Sequence, residues 1–309
     1  MDPNKKLTSK ISGWYEKLPY EVRSLTISKM GIDTVSKFMH ISRQYFEECS
    51  ANSSLFKGCF DMVIEESESK YRLKMMGVPG NSIQSTYYDW SLEFRRTESM
   101  GCTEITLMSK GRLSFRFLSV NDCWSEKGEL ADVFTQHLEN YLNGFGKNLR
   151  TLEIDLDSVM TIKMSRLRLG NSNQLEKLIV HPNAHNVCLI SSGFIDFEQL
   201  KKISAYIKLP ATNINFDQLI QLKARKIYIH KMDWTTEDVE KLCESWKKGE
   251  LHPNIREITI YGKFETPPKK QARYFNNELR SDCEHLKGKV ATYLFDQFYF
   301  EMRISDLEI

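Results

Sequence analysis

The stretch ARKIYIH, residues 224–230, alternates apolar and polar side chains, which is the pattern of a half-buried β-strand. Three further segments repeat it: LRTLEIDL from residue 149, LEKLIV from 175 and IREITIY from 255. Three apolar positions align in each segment, and the second and third of each set are expected to face a core: Leu149, Leu152 and Ile154; Leu175, Leu178 and Val180; Ala224, Ile227 and Ile229; Ile255, Ile258 and Ile260. The alternate positions are expected to form one continuous opposite surface: Thr151, Glu153 and Asp155; Lys177, Ile179 and His181; Lys226, Tyr228 and His230; Glu257, Thr259 and Tyr261.

Helical segments separate these strands. VEKLCESWKKG, residues 239–249, has Thr235 or Thr236 as its N-cap and Gly249 as its stop. FEQLKKISAYI, residues 197–207, is also predicted to be helical, and FDQLIQL, residues 216–222, is a shorter segment. The four strand segments start 26, 49 and 31 residues apart, so the middle gap has room for one more, degenerate strand. This alternation predicts a parallel sheet with helices on one side, similar to an irregular leucine-rich-repeat solenoid.

The preceding region has a different period. Residues 56–120 contain five alternating or short apolar runs bounded by turn residues, which predict antiparallel strands: FDMVIEE, YRLKMMGV, DWSLEFRR, EITLMS and RLSFRFLSV. Residues 132–145 return to helical spacing, with Gly144 or Gly146 as the stop. The side of this helix expected to be buried carries Val133, Phe134, His137, Leu138, Tyr141 and Leu142.

The N-terminal region predicts two short helices, over residues 19–30 and 34–46. Pro19 suits the first helical turn, where its missing N–H is not needed, and Asp33 or Thr34 suits the cap of the second helix. So small a helical unit cannot bury its own apolar surface well. We therefore expect it to need a partner or a docked second domain.

The stretch LPYEVRSLTISKMGIDTVSKFMHISRQYFEECS, residues 18–50, resembles the F-box without a gap. The matching positions are Leu18, Pro19 and Glu21 at the start, Val22, Ile27 and Met30 on the apolar helix face, and Ile41, Ser42, Arg43 and Tyr45 at the end. Thr26 departs from the pattern, because the family usually has a larger aliphatic residue there. The resemblance implies contact with a Skp-type adaptor through Leu18, Pro19, Glu21, Val22, Ile27, Met30, Val35, Phe38, Ile41 and Tyr45.

Trp14 ahead of Leu18-Pro19, followed by a long strand-and-helix region, is similar to nematode F-box proteins. Residues 132–261 resemble the FTH-type domain of those proteins, or a related F-box-associated domain, on the segments HLENYLNGFGKNLRTLEI and WTTEDVEKLCESWKKGELHPNIREITIY. This resemblance implies that the C-terminal region recognises a target protein. The surface positions expected to contact the target are Lys177, Ile179, Lys226, Tyr228, Glu257 and Tyr261.

Composition narrows the alternatives. The 309 residues carry 43 Lys and Arg against 41 Asp and Glu, a net charge of +2, which is too balanced for general attraction to nucleic acid or anionic lipid. No apolar run approaches the roughly 20 residues of a membrane span. Seven cysteines without CxxC spacing favour a reducing compartment, cytoplasmic or nuclear, over a disulfide framework.

Motifs for chemistry are few. His181, His185 and Cys188 have a metal-like spacing, but a fourth ligand is missing and structural zinc takes four. A Cys–His nucleophile pair meets only in the fold, so a hydrolase remains a rival hypothesis. Trp90, Phe94, Arg95 and Arg96 are the candidates for RNA stacking in a second rival, an RNA-associated regulator that uses the F-box for assembly.

Together these observations predict an α+β protein without catalytic residues, metal or cofactor. Its predicted regions are an F-box over 14–50, a strand-rich region over 56–125, a partner-binding region over 130–265 and a C-terminal tail over 266–309. The predicted function is substrate recognition within a cullin-RING ubiquitin ligase, with the adaptor and cullin scaffold as partners. The sequence does not name the substrate.

Overall fold

A computed structural model describes residues 15, 17–30, 45, 48–49, 59–67, 70–78, 89–96, 103–109, 112–119, 130–155, 175–181, 195–209, 214–230, 234–262, 264, 273–275, 278–286, 289–295 and 298–306. Helices and strands both contribute extensively, so the fold is α+β, as predicted. The chain divides into two compact units, residues 1–149 with 167–174 and residues 150–166 with 175–309. We call them unit 1 and unit 2.

Unit 1 begins with helix α1, Tyr20–Lys29. The sequence placed Pro19 inside the first turn, but Pro19 is the N-cap, with an extended backbone, and the helix starts one residue later. Its carbonyl still accepts the first helical hydrogen bonds, from the N–H groups of Val22 and Arg23. The second predicted helix, residues 34–46, lies almost wholly outside the described residues.

The middle of unit 1 is an antiparallel meander whose strands pair in chain order. The strands are β1 Cys59–Ser67, β2 Lys70–Val78, β3 Asp89–Arg96, β4 Thr103–Ser109 and β5 Arg112–Ser119. The prediction of antiparallel strands is confirmed, because alternate side chains of the first three strands are buried, as the alternating sequence requires.

Helix α2, Leu130–Phe145, packs against β2 and β3 and is followed by a 3-10 turn, Gly146–Asn148. All six side chains predicted for its apolar side are buried. Phe134 is central: its ring stacks on Tyr71 with centroids 4.8 Å apart and meets Phe94 edge-on at 5.1 Å. Aromatic contacts therefore hold the helix on the sheet.

Unit 2 contains five parallel strands in chain order: β6 Leu149–Asp155, β7 Lys177–Val180, β8 Tyr206–Leu209, β9 Lys226–His230 and β10 Glu257–Tyr261. The eight positions that the sequence assigned to the core, the second and third of each aligned set, are buried, and so are the four first positions. The predicted parallel pairing is thus confirmed, and its register aligns Leu152, Leu178 and Ile227 through the intervening Ile207.

Strand β8 corrects one prediction. Residues 197–207 were expected to form one helix, yet α3, Phe197–Leu200, lasts a single turn, and the chain is extended from Tyr206. Tyr206–Leu209 is the degenerate strand for which the 49-residue gap left room. The short apolar run fits a helix and a strand equally well by periodicity, and pairing with β7 and β9 decides for the strand.

The helices of unit 2 share one start signal. In α3, α4 (Phe216–Leu219) and α5 (Thr236–Lys247), the N-cap side chain accepts from the N3 backbone while the N3 side chain accepts from the N-cap N–H. The caps are Asp196, Asn215 and Thr235, each preceded by a buried apolar residue. Gly249 ends α5 with φ 74°, a value that glycine adopts without strain, which confirms both predicted ends of this helix.

The C-terminal segment completes the unit 2 sheet. Strands β11 Arg273–Phe275, β12 Glu278–Leu286, β13 Lys289–Phe295 and β14 Tyr299–Asp306 pair antiparallel in chain order. β14 then pairs antiparallel with β10. The segment that the sequence left without a role is therefore part of the same sheet as the parallel strands.

Candidate functional site

Helix α1 presents apolar side chains to solvent. Tyr20 is 50% exposed, Val22 43% and Leu25 60%, values that a globular core would not leave on one ten-residue helix. Pro19 and Glu21 are exposed as well, and Leu18 and Met30 are partly exposed. This set, which we call the α1 surface, is accessible to a partner.

Two residues expected to contact the adaptor are buried instead. Ile27 and Tyr45 are fully covered within the chain, so neither is presented to a partner in this conformation. The periodicity that suggested them is equally the periodicity of a helix face packed inward. Val35, Phe38 and Ile41 lie outside the described residues.

A polar cluster fixes α1 from its inner side. The Arg23 guanidinium makes a 2.8 Å ion pair with Glu48 and lies over the Tyr15 ring at 5.9 Å. The Tyr15 hydroxyl donates to Glu48 at 3.1 Å, and the Tyr45 ring meets the Tyr15 ring edge-on. Burial, followed by the Glu48 charge, raises the pKa of Tyr15 above its ordinary value, so the hydroxyl keeps its proton at neutral pH.

The second surface is the face of β6–β10 and β14 opposite the buried aliphatic residues, which we call the outer face. Cross-strand neighbours run along it in three rows: Thr151, Lys177, Tyr206, Lys226, Glu257 and Arg303 in the first, Glu153, Ile179, Lys208, Tyr228, Thr259 and Glu301 in the second, and His230, Tyr261 and Tyr299 in a shorter third. The predicted target-contacting residues therefore share one face. Tyr206 and Lys208 were missed because the sequence did not identify β8.

Two outward positions are less accessible than predicted. Thr151 and Thr259 are buried although they lie on the outer face. Thr259 sits between Tyr228 and Glu301, whose longer side chains cover its short one. Alternation fixes the side of a sheet, but neighbour size decides the exposure.

Charged groups in the outer face are paired across strands. Lys226 Nζ lies 2.8 Å from Glu257 Oε2, and the Tyr228 hydroxyl donates to the other oxygen of Glu257. Burial alone would raise the pKa of the Glu257 carboxyl, but these two hydrogen bonds outweigh it and hold that pKa below its ordinary value. Burial and the Glu257 contact raise the pKa of Tyr228, so its hydroxyl remains a donor.

Aromatic rings cross the same face. Tyr206 and Tyr228 pack with centroids 5.3 Å apart and planes 52° apart. Tyr261 stacks on His230 at 4.4 Å and lies 6.3 Å from the Tyr299 ring. One tyrosine thus comes from each of β8, β9, β10 and β14, which makes this the most aromatic described part of unit 2's outer face.

The residues considered for other chemistry are not brought together. Phe94, a candidate for RNA stacking, is fully buried against Phe134, while Arg95 is exposed and pairs with Glu93 at 3.1 Å. The predicted RNA surface on β3 is therefore wrong for Phe94, because the alternation of β3 turns this ring into the core. The side chains of Trp90 and Arg96 lie outside the described part.

His181 is described and bonds Glu153 through Nε2 at 2.7 Å, whereas His185 and Cys188 are outside the described residues. Among the side chains that the structure describes, no group of three His, Cys, Asp or Glu is placed to hold a metal ion. Neither Cys49 nor Cys243 forms a disulfide with another residue that the structure describes, and burial raises the pKa of Cys49 to about 12. A thiol held protonated in this way is a poor nucleophile.

None of the described helices is long and apolar enough to cross a membrane. Searches of family models, curated proteins and solved structures find no match for this chain.

Proposed function

We propose that this protein recruits substrates to a cullin-RING ubiquitin ligase. In this proposal the α1 surface binds a Skp-type adaptor, residues 14–50 act as an F-box, and the outer face of unit 2 binds the target protein. Ubiquitin transfer would be catalysed by other subunits of the complex. The parallel strands of unit 2 would serve as an irregular repeat that displays the target-binding side chains.

The exposed apolar α1 surface is the observation that carries the proposal. Burying an apolar side chain such as Val22 or Leu25 contributes about 1.5–3 kcal/mol, and that free energy is available only to a partner. The cluster around Glu48 holds the opposite side of α1 in place, so the surface is presented in one orientation. An ordered apolar helix face suits a helical adaptor better than a flexible segment does.

The test is co-purification of a Skp-type adaptor with the full chain. Leu18→Ala combined with Pro19→Ala removes a predicted contact and the residue that starts α1, and we expect adaptor recovery to fall at least about tenfold, the effect of losing one interface hot spot. Hydrogen exchange should show unit 2 unchanged. Adaptor recovery at the wild-type level would overturn the assignment.

A second pair separates lost contact from a damaged helix. Val22→Asp with Leu25→Asp changes two exposed side chains that α1 does not use for its own packing. This pair should lower adaptor recovery to the same extent as the first pair. Lys17→Ala with Lys29→Ala, two exposed polar positions beside the same surface, is the matched control and should leave recovery unchanged. Equal loss in both pairs would indicate that adaptor recovery depends on the general state of the chain.

A further inference from the structure

Two lysines on the outer face have no ion-pair or hydrogen-bond partner among the residues that the structure describes. Lys177 is exposed and Lys208 partly exposed, and neither makes an ion pair or side-chain hydrogen bond with any residue that the structure describes. Lys177 lies beside Tyr206 in the register, and Lys208 lies beside Tyr228. Two unmatched ammonium groups therefore border the same pair of aromatic rings.

The paired charges of this face also present their cations outward. The Lys226 side chain is 48% exposed against 13% for its partner Glu257, and Arg303 is 68% exposed against 10% for Glu301. The carboxylates lie deeper, beneath the groups that neutralise them. A molecule approaching β7–β10 and β14 thus meets ammonium and guanidinium groups first.

The remaining acidic groups limit where an anion can lie. Glu153 and Asp155 are both on β6, at the far side of β7, and Glu153 bonds His181. An anionic partner is favoured over β7–β9, where Lys177, Lys208 and Lys226 are located, and disfavoured over β6.

Ring geometry distinguishes a peptide from a nucleic acid. Nucleobases bind through free aromatic faces. Here the Tyr206 and Tyr228 rings pack on each other, and Tyr261 and His230 are stacked at 4.4 Å, so each ring already has an aromatic neighbour against it. The parts of these rings that stay exposed suit packing by the backbone and aliphatic groups of a peptide, whereas the Tyr228 hydroxyl is already bonded to Glu257.

We propose that the outer face binds an acidic peptide segment, with Asp or Glu carboxylates accepting from Lys177 and Lys208 and the peptide backbone lying against Tyr206 and Tyr228. This inference rests on the proposed role of unit 2 in target capture and specifies the chemistry of the target. Ordinary surface ion pairs are weak, so several carboxylates in one segment are needed for useful affinity.

The test is selection of random twelve-residue peptides displayed on phage against the full-length chain. We expect the enriched peptides to be rich in Asp and Glu, and a synthetic copy of the most enriched one to bind at least about tenfold more weakly to Lys177→Glu with Lys208→Glu. Binding should also weaken as salt rises from 50 to 300 mM, because the charges are accessible to screening. Neutral or basic selected peptides, or no enrichment, would overturn the proposal.

Three controls fix the interpretation. Lys202→Glu with Lys223→Glu makes the same change in net charge at exposed turn positions away from the outer face and should retain binding. Lys177→Gln with Lys208→Gln removes the charges without introducing new ones. If the variant with Glu at both positions does not fold, weaker peptide binding by this Gln variant supports the proposal in its place. Fluorescein-labelled oligouridine tests the other class of partner. If the chain binds oligouridine, the same variants lose that binding and no acidic peptides are selected, the partner is single-stranded nucleic acid and the proposal is contradicted.

Adaptor co-purification with these variants separates the two proposals. Wild-type adaptor recovery together with lost peptide binding supports the acidic-peptide site independently of the α1 surface. If Leu18→Ala with Pro19→Ala loses adaptor recovery but keeps peptide binding, the result supports an α1 surface that acts independently of the acidic-peptide site.

Discussion

The strands of unit 1 and those of unit 2 carry similar charged residues but use them differently. On the meander of unit 1, Lys70, Arg72 and Lys74 pair across strands with Glu65 and Glu93, and Arg95 pairs with Glu93 on its own strand. On the outer face of unit 2, Lys177 and Lys208 have no such carboxylate among the described residues. The two regions therefore contain similar charged residues but differ in whether each cation has a carboxylate partner.

This difference distinguishes charges that are paired within the fold from charges that are available to a binding partner. In unit 1 each of these cations already contacts a carboxylate, and the pairs that cross strands contribute a few tenths of a kcal/mol each to the sheet. In unit 2 the unmatched lysines contribute little to folding and are free to select a partner. Counting lysines in the sequence does not distinguish the two cases.

The largest expected effect tests whether the units depend on separate cores. Phe134→Ala removes the ring that joins α2 to β2 and β3, and we expect unit 1 to lose about 3–5 kcal/mol of stability. Hydrogen exchange measured by mass spectrometry should show lost protection in β2, β3 and α2, with β7–β9 unchanged.

Phe134→Leu is the matched control, because it keeps most of the apolar volume and should be milder. Equal loss of protection in both units would mean that they unfold together and would remove the basis for comparing them.

The next effect sharpens the comparison at the outer face. Tyr228→Ala with Tyr261→Ala removes two rings from the predicted target-contacting set, and we expect target recovery to fall about tenfold or more while adaptor recovery is unchanged. Quantitative affinity purification of the full chain measures both. Tyr228→Phe with Tyr261→Phe keeps the rings and should retain most of the target recovery. An unchanged set of partners in the Ala variant would place the target surface elsewhere.

The smallest expected effect is on the pH dependence of stability, compared for one carboxylate from each unit. Burial alone would raise the pKa of Glu93 and of Glu257, but hydrogen bonds from Arg72 and Lys70 in the first case, and from Lys226 and Tyr228 in the second, hold both pKa values below normal. A pKa lowered by folding adds stability above the unfolded-state value, about 4.3 for Glu, and that stability is lost as pH falls through the folded value.

Glu93→Gln and Glu257→Gln should therefore each reduce the loss of stability between pH 6 and pH 3, by less than about 1 kcal/mol apiece. Urea unfolding across this pH range measures the change. Asp217→Asn alters an exposed carboxylate whose oxygens contact no cation among the described residues, and it should leave the slope unchanged. A steeper acid loss in either Gln variant would contradict the sign.

The sequence identified most of the sheet architecture because alternation is a local property. Every apolar position assigned to the core of the four recognised unit 2 strands is buried, from Leu152 to Ile260, and α2 buries the predicted side around Phe134. Sequence patterns did not identify β8, because YIKL is too short for its apolar period to distinguish a helix from a strand. The repeated caps Asp196 and Asn215, each with Gln three residues later, were the available signal for the starts of α3 and α4.

By itself, the sequence determined which side of each recognised strand faces a core, where α5 begins and ends, and that α1 follows Leu18-Pro19. Only the tertiary structure decided that Ile27 and Tyr45 are covered, that β14 joins β10, and which lysines of the outer face are left without a carboxylate. The physical reason is range: periodicity and capping depend on residues a few positions apart, whereas burial and ion pairing depend on neighbours from distant strands. The partner chemistry of this protein lies in that second class of information.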